Sequence, residues 1–221
     1  MDDTPRRSHI LVGATSLIVG PALMSVGDLL HPPESMDASA QVAIVAAAAS
    51  RWYGAHLLLL VGMLLVVPGI LTLTWLASER SQAAGHVARL LILASVGAFS
   101  AVFVFEMVLG RFLSDGAAMP SAVALLETFQ SSRIFLVLVP GLLAFFIGTA
   151  FFVAPLAARG GPFRWPAVAF AVGAALILTE IVSANVLFSQ IGNVIIFLAS
   201  TAFAWLLLRD RRPTPRAGPR R

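Results

Sequence analysis

Six separate stretches of this sequence stay apolar for about 20 residues, the length a helix needs to cross the hydrocarbon core of a bilayer. They are Ile10–Leu30, Trp52–Leu76, Val87–Leu109, Ile134–Leu156, Pro166–Leu187 and Gln190–Leu208. The expected fold is therefore all-α: a polytopic bundle of six transmembrane helices forming one domain over residues 1–208. An Arg-rich tail, 209–221, follows it and is expected to be disordered. Composition agrees, since 58% of residues are hydrophobic and only 12% charged, with a mean hydropathy of +0.90. The first run is too long for the apolar core of a secretory signal and ends without an A-x-A-like site, so it reads as a retained span.

Orientation follows from arginine, because basic residues are retained on the cytoplasmic side. All 15 basic side chains of the Lys+Arg count are arginines. Twelve of them (Arg6, Arg7, Arg80, Arg89, Arg159, Arg164, Arg209, Arg211, Arg212, Arg216, Arg220, Arg221) fall on one side of the alternating spans, and three (Arg51, Arg111, Arg133) on the other. Both termini are thus expected in the cytoplasm. The arginine-only basic set and the heavy use of alanine and glycine suggest a high-GC bacterium, and hence its inner membrane. The net charge of +4 is spent on topology, so a nucleic-acid partner is not expected. The bilayer itself is the expected partner. The tail is either a plain stop-transfer flank or an arm for anionic lipid. A homo-oligomer is compatible with the sequence. There is no cysteine, which excludes disulfides, thiolate metal sites and cysteine nucleophiles.

The two long outer connections, 31–51 and 110–133, each carry turn residues, a short helical stretch and then a Ser-Arg pair opening the next span. Asp37 or Ser39 can cap the first short helix and Pro120 can open the second, so two short interfacial helices are expected on the outer face. Gly13, Gly20 and Gly27 lie seven apart in the first span and form a stripe for close backbone approach, as do the pairs Ala144/Gly148 and Ala169/Gly173. Pro68-Gly69 and Pro140-Gly141 interrupt the second and fourth spans and predict kinks.

Chemistry is sought where the membrane makes residues expensive. A carboxylate near the middle of a span costs about 2.5–3.5 kcal/mol on insertion scales and normally faces the bundle interior. Glu106 and Glu180 are such residues, and by helix rise both fall in the outer leaflet. Asp28, His31, Arg51, His56, Arg111, Arg133, Asn185 and Asn193 reach the same level, and Ser183 shares the face of Glu180. These eleven residues define one expected outward-facing polar pocket. Each has a plainer reading: Glu106 as the ion-pair partner of Arg51, Arg111 or Arg133, His56 as a core histidine, Asp28 and His31 as a loop turn. Trp52 and Tyr53 read as interfacial aromatic anchors.

Three functions fit. One is a transporter or proton-linked permease component in which Glu106 and Glu180 change protonation; its weakness is the lack of polar residues towards the inner side. A second is a membrane-embedded metal-binding protein or enzyme with His31, His56, Glu106 and Glu180 as ligands, although no H-E-x-x-H or Glu-x-x-His pairing occurs on any helix. A third is a non-catalytic accessory or sensor subunit. No nucleotide-binding or hydrolase signature is present, so whether the chain is an enzyme stays open and no cofactor is assigned.

The Leu30-His31-Pro32 ending of the first span, the Trp52–Gly62 opening of the second and its Pro68-Gly69 resemble uncharacterised six-helix membrane proteins of high-GC bacteria. That resemblance implies the architecture and transfers no activity and no catalytic residue.

Overall fold

A computed structural model describes residues 4–35, 37–183 and 185–209, with the side chains of 4–7 and 182 left aside. The Arg-rich tail from residue 210 onward lies outside the described residues. All regular structure among them is helical: α1 (Thr4–Leu30), α2 (Ala38–Ala47), α3 (Ala49–Ser78), α4 (Gln82–Ser114), α5 (Met119–Ser131), α6 (Arg133–Ala158), α7 (Arg164–Ser183) and α8 (Val186–Arg209), with a 3₁₀ turn at Gly161–Phe163. Six of them are long and apolar enough to cross a membrane.

Helix starts are set locally. Asp37 accepts from the Ala40 N–H at 2.8 Å to start α2, Ser81 from Ala84 at 3.3 Å to start α4, and Ser132 from Phe135 at 3.2 Å to start α6. Pro120 occupies the first turn of α5. Gly116, at φ 87°, supplies the left-handed residue that turns the chain after α4.

The long helices pack as a closed ring in chain order, α1–α3–α4–α6–α7–α8, with α8 returning to α1. Small residues permit this closeness. A Cβ on Gly20 of α1 would stand 2.7 Å from the Val66 backbone nitrogen of α3, and one on Gly62 would stand 2.7 Å from the Gly20 carbonyl oxygen. Gly173 and Gly192 do the same for α7 and α8. Hydrocarbon solvent offers no hydrophobic push between helices, so such contacts hold the bundle by dispersion. The glycine stripe of the first span is therefore the α1–α3 seam.

An even number of spans leaves the ends of α1 and α8 together, at what is here called the terminal end; the opposite, cap end carries α2 and α5. These two short helices pack on each other and, with Trp52 and Leu109, enclose a second small core containing Val42, Val45, Ala122 and Leu126. Trp52 is fully buried there (0% exposed), and its indole N–H donates to the Glu106 carbonyl oxygen at 3.2 Å. This corrects its reading as an interfacial anchor: the lid of short helices puts protein where headgroups were expected. Tyr53 remains exposed. The outer surface of the ring is apolar, with Leu136 at 71% and Val137 at 73% exposure, a surface suited to lipid rather than water.

Candidate functional site

A cavity of about 290 Å³ runs down the centre of the ring, at the lower limit of ordinary ligand pockets. Along α3 its lining runs from His56 to Ile70, and along α4 from Ile92 to Glu106. Fourteen residues at 1.5 Å each make it roughly 21 Å long. All its ionisable lining lies towards the cap end: Asp28, His31, Glu34, His56, Glu106 and Glu180, joined by Ser189 and Asn193. Towards the terminal end the lining is Val66, Ile70, Ile92, Val96, Phe170 and Ile196.

Six of the residues singled out by sequence therefore share this cavity: Asp28, His31, His56, Glu106, Glu180 and Asn193. The other five stand apart from its lining. Arg51 is exposed, and its Nε donates to the Leu30 carbonyl oxygen at the end of α1. Arg111 pairs with Asp115 at 3.0 Å on an exposed turn of α4. Arg133 is exposed at the start of α6, and Ser183 is exposed near the end of α7. Asn185 accepts from the Leu187 N–H at 3.1 Å and caps α8. The arginines separate from the carboxylates because a long side chain near a span end reaches more favourable surroundings outward than inward. No ion pair joins Glu106 to any of the three among the described residues.

The polar head is built mostly by α1, the loop after it, and α3. His31 and His56 are both buried, at 6% and 3% exposure, with their Nε2 atoms 3.3 Å apart. His31 Nδ1 is 2.7 Å from the Pro32 carbonyl oxygen, and His56 Nδ1 is 2.9 Å from that of Trp52. The Trp52 ring packs on both imidazoles, with centroids 4.6 and 4.7 Å away. Glu34 returns towards His31, bringing Oε1 within 3.5 Å of His31 Nε2. Across the head, Ser189 of α8 donates to Asp28 Oδ1 at a long 3.5 Å, and Ser25 donates to the Asn193 carbonyl oxygen at 3.1 Å. Asp28 Oδ2 and Glu106 Oε2 are buried without a hydrogen-bond partner among the described residues.

Burial lowers the pKa of His31, against the raising influence of the Pro32 hydrogen bond and the Asp28 charge. The neutral imidazole is therefore favoured. Crowding by protein atoms and then the Asp28 charge raise the Glu34 carboxyl, while the 57% of its side chain left accessible limits that rise.

Glu34 and Ser189 were not among the residues singled out by sequence. Glu34 had one signal, its position three residues after His31 across Pro32-Pro33, because two rigid prolines can turn the chain back on itself. Ser189 had none beyond its place at the start of α8.

The wall around this head is uneven. α6 lines the cavity only through Leu142 and Phe145, beyond Pro140-Gly141, whereas Glu106, Glu180 and Ile181 of α4 and α7 line it nearer the cap end. Of the first eight residues of α6, 133–140, only Leu138 is buried. Comparison with protein families, curated proteins and solved structures finds no match to this chain.

Proposed function

We propose that this multi-pass membrane protein draws a single-chain amphiphile from one leaflet into its central cavity, with a cationic or hydrogen-bond-donating head held at the cap end. The observation that carries the proposal is the polarity gradient along one narrow slot. A cavity of about 290 Å³ drawn out over roughly 21 Å is long and narrow, a shape that suits one extended hydrocarbon chain.

A chain moving from bilayer to cavity exchanges one hydrocarbon for another, so it gains little by burial. Preference must come from the head. The lining holds four carboxyl groups (Asp28, Glu34, Glu106, Glu180) and no arginine, so it offers acceptors to an amine or hydroxyl head and no cation to an anionic one. The stretch where α6 stands back, between Glu106 and Glu180, gives the amphiphile a lateral way in. A permease path would need polar lining to continue towards the terminal end, and the residues there are apolar. Entry from the membrane fits that lining better than passage across it.

The arginine distribution orients this arrangement: both termini in the cytoplasm of a bacterial inner membrane, α2 and α5 as interfacial helices on the outer face, and the cavity head in the outer leaflet. The Arg-rich tail would then meet anionic lipid on the inner face.

The test is equilibrium binding of a fluorescent long-chain alkylamine to the full chain in zwitterionic nanodiscs. Saturable binding of one probe per chain is expected, displaced by hexadecylamine and not by hexadecyl sulfate. Equal displacement by both, or no saturable binding, overturns the proposal.

A further inference from the structure

His31 and His56 present a problem that the amphiphile does not solve. A carbonyl oxygen only accepts hydrogen bonds, so the contacts of His31 Nδ1 with Pro32 and of His56 Nδ1 with Trp52 place the proton of each neutral ring on Nδ1. Both Nε2 atoms are then bare lone pairs, 3.3 Å apart, on side chains that are 6% and 3% exposed. Two acceptors held face to face and buried repel each other unless something positive lies between or beside them.

From this geometry we infer a divalent-cation site of zinc type, with His31 Nε2 and His56 Nε2 as ligands and Glu34 as the third. Two atoms each about 2.05 Å from a tetrahedral ion lie about 3.3 Å apart, which is the separation these nitrogens have. Glu34 Oε1 stands 3.5 Å from His31 Nε2, close enough for its carboxylate to be drawn to the same ion. The Nδ1–H to carbonyl bonds are the outer contacts that orient metal-ligating histidines, and the Trp52 ring holds both imidazoles in place. Among the described residues no three His, Asp or Glu side chains already close around one point, so Glu34 must swing inward from its loop to complete the set. Its side chain has the room to do so, being 57% exposed. The fourth position faces the cavity, as in sites that keep an open place for water or a ligand. This differs from the ligand set expected from sequence, which had Glu106 and Glu180 where Glu34 now stands. The inference rests on the histidine pair alone and does not depend on the amphiphile.

The experiment takes the full chain in detergent, stripped with EDTA, dialysed and titrated with Co²⁺ and separately with Zn²⁺. One equivalent per chain is expected, with the intense visible absorption of tetrahedral cobalt. X-ray absorption of the zinc-loaded protein should show two imidazole nitrogens at about 2.0–2.1 Å. His31→Ala and His56→Ala should each abolish stoichiometric binding. His86→Ala, at an exposed position near the start of α4, should leave it unchanged, and Glu34→Gln should weaken it while preserving the two-imidazole signature. If the histidine variants fail to fold, the absorption spectrum of the unmodified protein decides by itself. No stoichiometric metal, a spectrum without two imidazoles, or full binding in both folded histidine variants overturns the inference. In the first case a proton shared between the two nitrogens is what relieves their repulsion.

Discussion

Replacing Glu106 with glutamine changes charge at the cavity head while keeping shape. Glu106 Oε2 is buried with no hydrogen-bond partner among the described residues, so a cationic head arriving there meets an acceptor that no protein donor already uses. A hydrogen bond to a charged group contributes about 1.5–3 kcal/mol and a neutral one about 0.5–1.5 kcal/mol. Glutamine keeps an acceptor and loses the charge, so Glu106→Gln should raise the Kd for a long-chain alkylamine by the difference, about 1–1.5 kcal/mol or roughly 5- to 12-fold at 1.4 kcal/mol per factor of ten. For the matching long-chain alcohol, which carries no charge to pair with the carboxylate, the rise should be smaller. The assay is equilibrium binding in zwitterionic nanodiscs, with a melting curve for each variant to show that the bundle persists. An amine Kd within about threefold of the parent, or equal losses for amine and alcohol in a variant that melts normally, would refute the reasoning.

Three further outcomes follow. Gly20→Leu forces a side chain into the Val66 backbone across the α1–α3 seam and should destabilise the bundle by about 1–3 kcal/mol or more, read as a lower melting temperature in detergent; an unchanged melt would mean that this seam is not close-packed. Asp37 has its pKa lowered by hydrogen bonds from Ser39 and Ala40, so its contribution is present above the ordinary carboxylate pKa and is lost as pH falls through the lower folded value. Hydrogen exchange of the α2 amides should accordingly quicken in acid, and Asp37→Asn should flatten that dependence. Reporter fusions at residues 80, 159 and 221 should be active only as cytoplasmic reporters and fusions at 35 and 117 only as external ones; the reverse pattern would invert the topology.

The spans were legible because hydrocarbon thickness writes itself as apolar runs, and Asp37 and Pro120 marked the two short helices by the chemistry of helix starts. Helix ends were less legible. α3 begins at Ala49 and α4 reaches Ser114, beyond the apolar runs, because a helix can continue past the hydrocarbon wherever neighbouring protein or water satisfies it. The order of the ring could not be read, since spans apolar on every face carry little periodicity to say which face meets which neighbour.

At the site, Glu106 and Glu180 were found by the cost of a carboxylate in a span. Arg51, Arg111 and Arg133 were grouped with them because depth along a helix is readable while direction around it is not. The juxtaposition of His31 with His56 depends on the Pro32-Pro33 turn and on Trp52 being covered by α2 and α5. Both are tertiary facts with no local signature.

The most direct test of an amphiphile in the central cavity is photolabelling with two long-chain alkylamines, one bearing a diazirine at the chain terminus and the other beside the nitrogen, followed by peptide mapping. The terminal diazirine should label cavity residues such as Phe145, Phe170 and Ile196, and the other should label the region of Glu106 and Glu180, both competed by unlabelled amine. Label confined to Leu90, Leu136 and Val137, exposed on the outer surface of the ring, and unaffected by competitor, would contradict it.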